Sequence, residues 1–410
     1  MELTNATKIR GRHVGWSDEL IARIEASPMS EATTANLAIL KVAADRVETF
    51  VGKVEANPEM LGKIGLRFAR GRPERGIRSV PGPNGLGTPE INIGSYGQVP
   101  DIWPYENDTP LGSHPDPENY VPGNYHIFEK SEVWAEGVDE LYEQGIRERW
   151  IPASDLDWAS LKELPEEGER AVCQLATVYS SNGLVEQKII SKWFEAISYG
   201  FHDVKLFLGT QVYDAGHKVE VLRKRALANG GGMGQAPLGN LYRGWYGSLK
   251  FTEMIIALDV TYKSYELTLF EAARDYVKND LEAKMFDLMA RDSRRHLEYG
   301  IRHLRWYLQH HPRGPQNAAF WLTRAENALS TELRHSHVER ESLVVLLADG
   351  TERLAVGVQK LQTIREKQLR NYLDLLDSVG IDRLPKLAGG LEHIAEDPLT
   401  TTGAPPVPRV

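Results

Sequence analysis

From Ala171 to Leu227 apolar residues recur at helical spacing without a proline, and the pattern predicts two long antiparallel helices joined near Tyr199-Gly200. A second stretch of the same design runs from Lys250 to Leu308. Two such pairs predict a four-helix bundle. On a wheel of roughly 100° per residue, Val204, Leu208, Val212, Val219, Leu222 and Ala226 form one stripe, with Ala215 at its centre and Lys218 on its flank. In the second pair Phe286, Met289, Leu297, Gly300 and Leu304 form the stripe, with Ser293 at its centre and His296 on its flank. Bundles that bind two metal ions carry Glu-x-x-His at such positions. Here the two pairs read Ala215/Lys218 and Ser293/His296.

The other elements follow from punctuation and period. Residues 1–16 are polar and read as an arm, and Ser17 can cap a short helix from Leu20 to Ala26. Glu31 to Glu55 reads as one longer helix. Residues 70–125 are dense in proline and glycine, yet carry Trp103, Tyr105, Tyr120 and Tyr125. That many aromatics argue against a disordered linker, so the stretch reads either as an ordered wrap over the bundle or a partner, or as a long surface loop. Helix returns from Ser131 to Trp150, and two more helices are expected over Gln316–Leu347 and Glu352–Ser378. The expected organisation is therefore N-terminal helices and extended segment over 1–130, bundle over 131–312, flanking helices over 313–390, and a disordered tail over 391–410.

Composition narrows the classes. A net charge of −9 over 410 residues argues against nucleic acid as the main partner. The single cysteine, Cys173, leaves no internal disulfide and fits a reducing, cytoplasmic setting. The first residues show no apolar signal-peptide core, and no apolar run is long enough to span a membrane. The glycine-rich Asn229–Gly234 lacks the strand before it and the Lys-Ser/Thr after it that a phosphate-binding loop needs, so it reads as a helix end and joint.

The wheels place Glu186, Lys218, Asp259, Lys263, Glu266, Ser293 and His296 in or beside the interior, with Tyr262 next to them. Buried charges must pair or bind metal. One reading pairs an ammonium at Lys218 with Glu186, Asp259 or Glu266; the other lets such chains snorkel to solvent, which Lys263 in particular favours. His296 reads as a hydrogen-bonded core histidine sooner than as an isolated ligand. His303, His310 and His311 read as an ordinary helix end, and Arg223-Lys224-Arg225 as a basic helix terminus complementing the dipole.

Four pieces carry a resemblance: SEVWAEGVDELYEQGIRERWIPASDLDW, CQLATVYSSNGLVEQ, FLGTQVYDAGHKVEVLRKRAL and MARDSRRHLEYG. Together, over residues 130–310, they resemble the ferritin-like diiron oxygenase and hydroxylase superfamily, which includes bacterial multicomponent monooxygenases and arylamine N-oxygenases. That family carries Asp-Glu-x-Arg-His in the third and fourth pieces, where Glu and His bind iron, and two further Glu on partner helices. Aligned so, the family's Glu falls on Ala215 and Ser293, its His on Lys218 and His296, and its other two Glu on Gly183 and Asp259. Only Asp259 and His296 stand at expected ligand positions, with Glu186 one turn from Gly183. A shifted register would read Asp214-x-x-His217 as the ligand pair, but turns His217 away from the stripe.

The resemblance implies two functions. One is a metal-free, non-catalytic subunit that supports a homologous iron-bearing diiron subunit in a hetero-oligomer, with reductase or effector proteins as further partners. The other is an active oxygenase in which Glu186, Asp259, Glu266 and His296 hold iron or manganese, or in which a burial-shifted Lys218 is catalytic.

Overall fold

The computed structural model describes residues 2–60, 77–103, 110–113, 125–236 and 245–394. Among them the regular structure is helical, with only isolated β-bridges besides. No helix among the described residues is long and apolar enough to cross a membrane. The chain divides into two compact units, one of residues 1–78 and 112–121, the other of 79–111 and 122–410.

The N-terminal unit is built from α1 (Asn5–His13), α2 (Asp18–Ala26), α3 (Glu31–Ile39) and α4 (Ala44–Ala56). Thr4, Ser17 and Ser30 cap the first three, each side-chain oxygen accepting from a backbone N–H three residues on. The polar arm expected over 1–16 is therefore α1, whose Gly11 lies against the Trp16 ring so closely that a Cβ would sit 2.3 Å from it. The single helix expected from Glu31 to Glu55 is two helices, because Lys41 adopts a left-handed φ of 51° and turns the chain. That turn lets the carbonyl of Val42 accept the Trp16 indole N–H at 3.0 Å. Leu20, Ile21, Ile24, Val47, Val51 and Val54 close the core of this unit.

In the second unit α5 (Val138–Arg147) precedes the long α6 (Glu166–Ala196) and α7 (His202–Ala228). Phe251–Ile255, the π-helical Ile256–Tyr262 and Lys263–Tyr276 run on as one helix, α8, and α9 spans Asp280–His310. α10 (Gly314–His335), α11 (His337–Ala348) and α12 (Leu354–Asp377) complete it. The two expected long helix pairs are present, and the first joint falls at the short turn Tyr199–Phe201. α10 and α11 replace the one helix expected over Gln316–Leu347: the chain bends at Ser336. Within 131–150 only Val138–Arg147 is α-helical.

Within the proline- and glycine-rich segment, Thr88, Asn92 and Trp103 rest on the second unit's own helices. The Thr88 N–H and hydroxyl both donate to Glu143 of α5, Asn92 donates to Asp203 of α7, and Trp103 packs on Gly200. Tyr105, Tyr120 and the tail from 395 on lie outside the described residues.

Two apolar layers fill the second unit. One gathers Ile189, Trp193, Phe207, Leu208, Ile255, Leu258, Tyr299 and Leu304. The other gathers Leu175, Tyr179, Leu222, Leu269, Phe270, Met285 and Met289 with Leu343 and Leu347 of α11 and Leu361 of α12. Between them, at the midpoint of α6 to α9, lies a polar layer.

Candidate functional site

Four charged side chains meet in this polar layer. Lys218 of α7 donates to Glu186 Oε1 of α6 at 2.5 Å and to Glu266 Oε1 of α8 at 2.6 Å. Lys263 of α8 donates to Glu186 Oε2 at 2.8 Å and to Glu266 Oε2 at 2.5 Å. Each carboxylate thus bridges both ammonium groups, and each ammonium bridges both carboxylates. All four side chains are 5% exposed or less, so solvent does not screen them. The ring is electrically neutral, which is the condition under which buried charges persist.

Neighbouring groups complete the ring. Ser293 of α9 donates to Glu266 Oε2 at 3.0 Å, and the Tyr262 hydroxyl donates to Glu266 Oε1 at 3.2 Å. Asn182 in turn donates to the Tyr262 oxygen at 2.8 Å. Burial pushes the Glu266 carboxyl up, but Lys218 and Lys263 outweigh burial and hold it well below the usual carboxylate range. For Lys263 burial pulls down, while Glu186 and Glu266 outweigh it and hold the ammonium above its ordinary range. Lys263 is a fixed cation. It does not snorkel to solvent: its side chain is 2% exposed.

Gly183 explains how Lys218 reaches the centre. A Cβ at Gly183 would lie 2.8 Å from Val219 Cγ2, 3.0 Å from the Ala215 carbonyl and 3.3 Å from Lys218 Cε. The bare backbone lets α6 and α7 approach closely, and the lysine chain runs over the gap. Ala215 is buried in the same contact.

Asp259 and His296 belong to separate networks. Asp259 lies in the π-helical turn, and its Oδ1 accepts from Gln211 Nε2 at 2.5 Å. Burial first, then the Glu186 and Glu266 charges, push its carboxyl up to about 8 against the pull of Lys263, so it holds a proton at neutral pH. His296 Nε2 lies 2.9 Å from Asp214 Oδ2. Burial first, then Lys263 and Arg295, hold its imidazole neutral, well below the usual range; a neutral ring here donates from Nε2. The same Asp214 oxygen accepts from Arg295 Nη2 at 2.5 Å, and Arg295 reaches Asp292 at 3.1 Å. The Trp150 indole N–H donates to the other Asp292 oxygen at 2.8 Å. His217 lies apart, packed between the rings of Trp150 and Tyr213.

The residues expected at the interior are therefore all buried, yet they do not converge on one point. Glu186 and Glu266 are joined through lysines, Asp259 faces Gln211, and His296 faces Asp214. Every oxygen of Glu186 and Glu266 already accepts from an ammonium. A pair of iron ions needs several free carboxylates on one centre, and this donor set does not fit it. Among the described residues no group of three or more His, Cys, Asp or Glu is placed to hold a metal ion.

Gln211 and Arg295 went unnoticed in the sequence as interior groups, and Asp214 was offered only by the shifted register. The wheel put Val212 and Val219 on the core stripe, whereas both are half-buried and Gln211, Asp214 and Val221 are buried. Two further expectations are corrected. Arg225 is no helix-end complement: it is fully buried, with both terminal nitrogens on Glu169 at 2.9 and 3.1 Å and Nε on Glu282 at 2.5 Å. His303 is fully buried too, bonded to Thr252 at 2.9 Å and to the Trp134 carbonyl, and burial lowers it to about 4.

No protein-family model matches the chain, and comparison with curated proteins and with solved structures found no match.

Proposed function

We propose that the chain is a ferritin-like, non-catalytic subunit of a diiron monooxygenase hydroxylase, and that it supports a homologous iron-bearing subunit in a hetero-oligomer. The observation that carries this reading is the Lys218–Glu186–Lys263–Glu266 ring. In the family the sequence resembles, carboxylates at the centre of four helices are offset by metal cations. Here two ammonium groups supply that positive charge and keep the helices apposed. The role is structural: a neutral, saturated core that holds a surface in shape. The buried free thiol of Cys173 suits a cytoplasmic protein of this kind.

An active oxygenase built on Glu186, Asp259, Glu266 and His296 is the weaker reading. It requires both lysines to leave the ring and Asp259 to lose a proton that burial holds to about pH 8. A catalytic Lys218 is disfavoured as well, since an ammonium held by two carboxylates has no free lone pair to attack with.

The test is to purify the chain alone and co-expressed with diiron-subunit candidates encoded beside it, and to measure iron and manganese per chain. Negligible metal in the isolated chain together with a stable complex containing an iron-loaded partner supports the proposal. Near-stoichiometric metal pairs in the isolated chain overturn it. A reductase or effector protein should then act on the complex and not on this chain alone.

A further inference from the structure

A cavity of about 470 Å³ opens at the end of the second unit, away from the lysine–glutamate ring. It lies among the first turns of α6, the last turns of α7 and α8, the start of α9, and α11. Its walls are apolar: Leu175 and Tyr179 of α6, Leu222 of α7, Leu269 of α8, Met285 and Phe286 of α9, with Leu343 and Leu347 behind them. None of the four ring residues lines it. Its size falls within the range of small-molecule sites, which are mainly apolar with few polar groups.

The charged groups deepest in its border are engaged with each other, while Glu352 and Arg353 of the loop between α11 and α12 stand exposed at the rim. Arg225 is held by Glu169 and Glu282. At the rim Lys278 pairs with Asp349 at 3.2 Å, and Thr351 donates to Glu167 at 2.9 Å. These two contacts tie the loop between α11 and α12 to the end of α8 and the first turn of α6. Asp349 and Gly350 there take left-handed φ values of 61° and 118°. Both contacts are solvent-exposed and therefore weak, so the loop can part without disturbing the core. A charged ligand would enter the apolar walls without a free counter-ion inside, which is costly.

We infer that this cavity binds an uncharged small molecule with a hydrocarbon body, and that the loop from Asp349 to Arg353 is its cover. The inference does not depend on the subunit role proposed above. The probe is N-phenylnaphthylamine, an uncharged fluorophore that brightens in apolar surroundings, titrated into the full chain and displaced with n-octanol, octanoate or octylammonium. One saturable site per chain is expected, with n-octanol displacing the probe at about tenfold lower concentration than either ion. Ala273→Trp and Leu346→Trp, both at half-buried lining positions, should each weaken probe binding about tenfold or more while the far-UV circular dichroism stays unchanged. Using two variants guards against one of them misfolding. The absence of saturable binding, an equal or greater preference for either ion, or wild-type affinity in a folded tryptophan variant would overturn the inference.

Discussion

Lys218→Met tests the central ring most directly. Methionine matches the lysine stem through Cε and lacks only the terminal nitrogen, so the cavity term is small and the change is mainly electrical. It deletes the contacts at 2.5 Å to Glu186 and 2.6 Å to Glu266 and leaves two carboxylates facing one ammonium, a net charge of minus one in a region sealed from water. Removing one partner of a buried ion pair costs about 3–5 kcal/mol, a large part of the roughly 5–15 kcal/mol that holds a domain folded. The variant can relieve the penalty by protonating one carboxylate, so the loss should be greatest near pH 8 and shrink toward about pH 5. The double variant Lys218→Met/Glu186→Gln restores neutrality and should be more stable than Lys218→Met alone, a coupling of about 0.5–3 kcal/mol. The assay is equilibrium urea unfolding followed by far-UV circular dichroism at several pH values. A loss below about 1 kcal/mol, the size expected of an exposed pair, would refute the reasoning. So would a loss that does not change with pH.

Further outcomes follow from the same geometry. Asp259 is raised from 3.8 to about 8, so between those values the folded chain holds a proton the unfolded chain has released, and stability falls with rising pH by up to roughly 1.4 kcal/mol per unit. Asp259→Asn removes that slope: its stability relative to wild type should improve from about pH 4.5 to about pH 7.5, and an unchanged urea-unfolding slope would count against a protonated Asp259. For the ring the signs oppose each other. The depressed Glu266 contributes stability above its unfolded value of 4.5 that is lost as pH falls through its folded value, whereas the raised Lys263 contributes below 10.5 and is lost as pH rises beyond it. Gly183→Glu places back the carboxylate that the family pattern expects, but its Cβ meets Val219 and the Ala215 carbonyl; it should lose about 1–3 kcal/mol and gain no iron by elemental analysis. Arg225→Met strands Glu169 and Glu282 and should lose about 3–5 kcal/mol in urea unfolding, where a basic helix end would lose almost nothing.

The sequence by itself determined the helical class, the two long pairs and their joint at Tyr199–Phe201, because proline-free apolar periodicity over such lengths admits little else. It also named Glu186, Lys218, Asp259, Lys263, Glu266, Ser293 and His296 as interior groups, since a polar residue on an apolar stripe has nowhere else to go. Breaks without proline were not legible: the turns at Lys41 and Ser336 interrupt patterns that stay helical on either side. Neither was the π-helical Ile256–Tyr262, which no side-chain period announces. Tertiary structure alone decided the partners. A wheel shows that Lys263 faces inward or nearly so, but whether it snorkels or stays depends on Glu186 arriving from α6 to join Glu266 of its own helix, both within 3 Å. The same holds for Arg225 and His303, which read as helix-end residues until Glu169, Glu282, Thr252 and Trp134 arrive from distant parts of the chain. Periodicity sets the face a side chain presents; the charges that meet it there are set by which helices the fold brings together.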